Sequence, residues 1–83
     1  MSRVPTRRNP QPDWVLDRRR ALGHRIADLR RQAELSQEQL GHLAGMDRRS
    51  IQRYESAVRD PQYSDLLLIA HALRVHVVDL LHG

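Results

Sequence analysis

The 83-residue chain has no cysteine, no phenylalanine and no lysine, and only one tryptophan and two tyrosines. Each shortage narrows what it can be. Without cysteine it forms neither a disulfide framework nor a thiolate metal site. Scarce aromatics remove the side chains that usually fill a β-sandwich core. The Leu, Ile, Val and Ala that remain suit helix packing. No apolar run approaches the roughly 18 residues of a membrane span, and no secretory leader is visible. A cytoplasmic protein without membrane contact is expected. The length allows one domain with a modest core, the size at which many chains lean on a partner.

All 14 basic residues are arginine, and the net charge is +4. Arginine presents a planar fork of donors that matches phosphates and guanine edges. Arginine in place of lysine also follows from genome base composition, and the two explanations are compatible. Position carries more information than the total. Residues 1–34 hold nine arginines against four acids, whereas residues 61–83 hold Arg74 against Asp65 and Asp79. A basic front and a near-neutral back suggest one face for an anionic partner and another for packing.

Residues 1–12 carry Pro5, Pro10 and Pro12 with Arg3, Arg7 and Arg8 and no acid, which reads as a disordered basic arm. A domain then spans 13–83. Asp13 is the expected cap of a first helix over about 13–33. Trp14, Val15 and Leu16 form an apolar knot with two open readings, an anchor for the arm or a contact with a second copy. Leu22, Ile26, Leu29 and Ala33 lie on one helical stripe, largely clear of Arg18, Arg19, Arg20, Arg25 and Arg31.

Ser36 and Gln39 have the spacing of a capping box that opens a second helix, which buries Leu40, Leu43 and Ala44. Gly45 suits the left-handed turn that closes it. Asp47 caps a third helix over about 48–55, with Ile51 inward. A fourth helix over about 62–73 buries Leu66, Leu67, Ile69, Ala70 and Leu73. The tail Val75–Leu81 fits a strand or a helix, and a fifth short helix is preferred because a lone strand has nothing to pair with.

Five segments in order carry a family resemblance: Leu22-Gly23 with Arg25-Ile26 and Leu29-Arg30; Leu35-Ser36-Gln37-Glu38 with Leu40; Gly45 to Glu55; Arg59 with Pro61; and Ala72-Leu73, Val75 and Leu80-Leu81. At this spacing the chain resembles the Cro/C1-type helix-turn-helix family of bacterial and phage regulators, also called the xenobiotic-response-element family. The resemblance implies an all-α, five-helix, lambda-repressor-like DNA-binding domain. It implies double-stranded DNA as partner, with Gln37 on the backbone and bracing the third helix. Arg48, Arg49 and Arg53 then reach base edges, Gln52 flanks them, and Ser50 and Arg59 belong to the same DNA-facing set. Arg30 and Glu55 match a structural ion pair of the family, not a catalytic one.

The chain departs from the family where Glu34, Ala57 and Arg74 replace glycine near helix ends, where Gly41 replaces the usual Ala, and where Gln62 replaces a Ser cap. A single domain of this kind reads few base pairs, so a homodimer on a near-palindrome is expected, with Val77, Val78, Leu80 and Leu81 supplying its surface; packing of some of them in the monomer's own core is the competing reading. The arm reads equally as a DNA-reaching segment or an inert terminus. His24, His42, His71, His76 and His82 read as solvent-facing or capping, and neither a metal site nor a cofactor is expected. No nucleophile motif or glycine-rich phosphate loop is present, so no catalytic residue and no enzyme is expected. The expectation is a repressor, of the kind found as stand-alone phage or plasmid regulators or restriction-modification controllers. The alternative is an antitoxin or adaptor of the same fold whose main partner is a protein.

Overall fold

Five α-helices follow one another in the computed structural model, which describes residues 11–82. They are α1 (Asp13–Gln32), α2 (Gln37–Ala44), α3 (Arg48–Glu55), α4 (Tyr63–Leu73) and α5 (Val77–Leu81). No strand occurs among the described residues. The tail is therefore helical. Residues 1–10 of the expected arm lie outside the described part.

Each helix contributes one fully buried side chain to the core: Ile26, Leu40, Ile51, Ile69 and Leu80. Ala44, Tyr54, Leu66, Ala70 and Leu73 complete it, with Leu22, Leu29, Leu35 and Val75 packed at its edge. α1 packs on α3 and α5, α2 on α3 and α4, and α4 on α5. Two glycines set the closeness of that packing. A Cβ on Gly23 would sit 2.5 Å from the Glu55 carbonyl oxygen, and one on Gly41 would sit 2.7 Å from that of Met46. The family's usual Ala has no room at position 41 unless backbone moves.

Several sequence expectations need correction. Pro12, not Asp13, is the N-cap of α1, and Asp13 is its first helical residue. α1 ends one residue early, at Gln32, and Ala33 is an exposed C-cap. Leu43 and Leu67 are exposed rather than buried. Both lie about 100° from the centre of their helix's buried face, at roughly 100° of turn per residue. Gly41 lets α2 press its buried face onto the turn ahead of α3, and Leu43 lies off that face. α4 opens at Tyr63 with Gln62 as N-cap, and Gln62 makes no side-chain cap bond.

Glu34, Ala57 and Arg74 have φ of 59°, 62° and 60°. The three positions that lack the family's glycine are thus the three that take the left-handed geometry glycine tolerates best. The loops keep their shape and carry strain in exchange.

Candidate nucleic-acid interface

Two caps and one turn fix the unit made of α2 and α3. At the start of α2, Ser36 Oγ accepts from the Gln39 amide at 3.0 Å while Gln39 Oε1 accepts from the Ser36 amide at 2.8 Å. This reciprocal box satisfies two donors that the first helical turn leaves over. At the end of α2, Gly45 is left-handed at φ 75°, and the Met46 amide donates back to the Gly41 carbonyl at 2.7 Å. Asp47 then caps α3, with Oδ1 accepting from the Ser50 amide at 2.8 Å. That backbone bond, assisted by Arg49 and Arg53 nearby, holds the Asp47 carboxyl below the usual carboxylate range.

α3 has two opposite faces. Ile51 and Tyr54 point into the core, and the Tyr54 hydroxyl donates to Asp65 Oδ2 on α4. Burial first, and this bond second, push the Tyr54 phenol up from 10.0 to about 12. Arg48, Arg49 and Gln52 are exposed on the other face, with Arg53 half-exposed at its edge. Ser50 is half-buried beside the cap. Arg59 lies exposed in the loop after α3, its amide donating to the Arg53 carbonyl at 3.2 Å.

The C-terminal end of α3 is held by Glu55. Arg30 Nε donates to Glu55 Oε2 at 2.7 Å and Arg30 Nη2 to Oε1 at 3.0 Å. Arg30 Nη1 donates to the Leu35 carbonyl at 2.9 Å, and Gln37 Nε2 donates to Glu55 Oε1 at 3.0 Å. The side chains of Arg30 and Glu55 are only 12% and 7% exposed. One carboxylate thus ties together the end of α1, the following loop, the start of α2 and the end of α3. The hydrogen bond to Glu55 raises the Arg30 pKa above its ordinary value.

Gln37 is engaged in this network. A carboxamide has two N–H hydrogens, so one remains to meet another acceptor. Beside it runs a cleft of about 400 Å³, lined by His24, Ala27, Asp28 and Arg31 of α1 together with Gln37, Gln52, Glu55 and Ser56. Sequence reasoning missed this contribution of α1. The signal was present as the spacing 24, 27, 28, 31, which is one helical face. The Tyr54–Asp65 bond and the Arg25 Nε bond to the Asp79 carbonyl, at 2.9 Å, left no such signal.

The proposed dimer set divides. Leu80 is buried in the chain's own core, at the floor of a groove beside α1, and Val77 is half-buried against that core. Val78 and Leu81 are exposed. No group of three or more metal-binding side chains comes together among the described residues, and no helix there is long and apolar enough to cross a membrane.

A capped helix, a left-handed glycine turn and a second capped helix with an arginine-bearing outer face define a helix-turn-helix domain. The family described as "Helix-turn-helix domain" matches residues 21–82, which leaves the first two turns of α1 outside the match. The restriction-modification controller protein C.AhdI from Aeromonas hydrophila is 33% identical, with 74% of this chain and 92% of that one covered at a TM-score of 0.73. The P22 c2 repressor, solved in complex with synthetic operator 9T, is 29% identical, with 75% and 94% covered at a TM-score of 0.70. Among curated proteins none matches the sequence significantly. The chain belongs to the Cro/C1-type helix-turn-helix family of DNA-binding regulators.

Proposed function

We propose that this protein is a sequence-specific transcriptional repressor that occupies an operator as a homodimer, with α3 lying in the major groove. The outer face of α3 carries the reading. Among the described residues, Arg48, Arg49 and Arg53 have no hydrogen-bond or ion-pair partner for their guanidinium groups, and the three ion pairs found there lie elsewhere. Arg49 and Arg53 are four apart and share a face. A forked guanidinium on guanine N7 and O6 discriminates by about 1–3 kcal/mol, so an operator rich in G·C pairs is expected. Gln52 and Ser50 extend that face to bases or phosphates. Arg59 and the remaining N–H of Gln37 grip the backbone, aided by the positive N-terminal ends of α2 and α3.

Regulation follows from occupancy, not catalysis, and the site of action is the nucleoid. The operator-bound form of the P22 c2 repressor and the controller role of C.AhdI support this reading. Two copies bring two recognition helices one helical turn apart along the duplex. Val78 and Leu81 are the α5 side chains available for that pairing. A second reading, a protein-binding antitoxin or adaptor, draws support from exposed Leu43, Leu67 and Leu68 on α2 and α4.

Selection from a random duplex library at physiological salt separates the two. The operator reading expects an enriched inverted repeat with half-sites about one turn apart, roughly 10–10.5 base pairs. Weak, salt-sensitive binding to every sequence would shift the assignment to the protein-binding module.

A further inference from the structure

The first two turns of α1, residues 13–20, precede the segment matched by the family. They carry Trp14, 67% exposed and the only tryptophan in the chain. A large aromatic side chain left in water on a rigid helix has no role in this monomer's core. Next to it runs a groove of about 760 Å³ between α1 and α5, with Val15, Leu22, Leu80 and Leu81 as apolar lining and Arg18 and Arg19 on its side. Arg19 Nε is buried there without a partner.

We propose that this groove receives Trp14 of a second copy of the chain, so that the two copies exchange tryptophans across a two-fold axis. The proposal rests on the homodimer reading above and names the surface that makes the dimer. Three observations select a second copy as the occupant. A two-fold interface must be self-complementary, and here knob and groove lie side by side on one surface. The exposed α5 residues Val78 and Leu81 alone fall far short of the roughly 800 Å² per partner that a stable interface buries. Trp14 and the groove beside it extend the exposed surface of α5 along the first turns of α1.

The third observation is charge. The α1 extension is acidic at its start, with Asp13 and Asp17, and basic at its end, with Arg18, Arg19 and Arg20. Asp17 is already paired with Arg20 of its own helix at 3.3 Å, so two such segments crossing antiparallel set Asp13 of one copy against Arg18 and Arg19 of the other. Arg18 and Arg19 beside the groove also offer guanidinium planes to an indole face.

The test uses the full chain, with Trp14 as its own reporter. Sedimentation mass, emission maximum and acrylamide quenching are followed together over a dilution series. The expected result is a doubling of mass accompanied by a blue shift and loss of quenching over the same concentrations. Trp14→Ala and Leu81→Glu, both at exposed positions, should each weaken the dimer at least about tenfold, as loss of an anchor does, with the monomer's helical content unchanged. A dimer whose Trp14 remains fully quenchable overturns the inference and leaves the homodimer intact. Shielding of Trp14 at a dilution where the mass is that of one chain means that the chain's own residues cover it, and also overturns it. A mass that never doubles, with or without operator DNA, defeats the homodimer reading itself.

Discussion

Arg74 sits at φ 60° and ψ 40° at the end of α4, and Glu34 and Ala57 share that left-handed geometry. A side chain with a Cβ pays about 1–2 kcal/mol for it, whereas glycine does not. Part of the gain from glycine is returned through the greater freedom of the unfolded chain. Arg74→Gly should therefore stabilise the fold by about 1 kcal/mol, or about 4–8 °C in the thermal midpoint for a domain of this size. Calorimetry of the single variants and of the triple checks it, with near-additive gains expected because the sites are separate. A lower midpoint for Arg74→Gly would show that the Arg74 side chain contributes more than the strain removes. At Glu55 the sign reverses. Its carboxylate accepts three side-chain hydrogen bonds, from Arg30 and Gln37, at a largely dry site. Arg30→Ala strands that charge and should cost about 3–5 kcal/mol in denaturant unfolding. Such a loss consumes much of the roughly 5–15 kcal/mol that holds a small domain together.

The elements were legible in the sequence where local chemistry decides them. Ser36 with Gln39, Gly45 and Asp47 mark α2, the turn and α3, because each satisfies a backbone need visible within four residues. The glycine substitutions at 34, 57 and 74 were visible as departures, and their cost followed once φ was known. Face assignments failed where the partner element decides them. Leu43 and Leu67 are as apolar as Leu40 and Leu66, and only the approach of neighbouring helices turns them outward. Leu80 was legible as apolar with core and dimer surface both open, and the packing of α5 on α1 and α4 puts it in the core. The DNA-facing set was readable from position after the turn, whereas the bracing of Gln37 by Glu55 required two helices in place.

The same long-range logic governs how α3 is held against α4. The phenol of Tyr54 is raised to about 12, so folding favours its neutral form. A raised pKa means the contribution is complete below pH 10 and is lost as pH rises toward 12. Denaturant unfolding between pH 8 and 11.5 should show stability falling by about 1–2 kcal/mol over the upper part of that range. Tyr54→Phe should flatten this limb. An unchanged limb in that variant would place the alkaline loss in another group.

For the whole molecule, charge and symmetry act together. The net charge of +4 is weighted toward the first 34 residues and α3, and α5 with its apolar groove is left for pairing. Each phosphate contact contributes about 0.9 to the slope of log affinity against log salt. Arg59 is exposed beside the end of α3 and is assigned to the backbone, so its loss should weaken all sequences alike. In a homodimer one substitution removes two such contacts. Arg59→Ala should then lower the slope by about 2, against about 1 for a monomer on DNA. Arg49→Ala and Arg53→Ala should instead relax base preference at particular positions of the selected site. Titrations of labelled operator duplex at several salt concentrations measure both effects. A slope change near 2 with unaltered preference fits Arg59 as a phosphate contact in a dimer. A change of preference in Arg59→Ala would move that residue among the base readers, and unaltered preference in both Arg49→Ala and Arg53→Ala would remove α3 from that role.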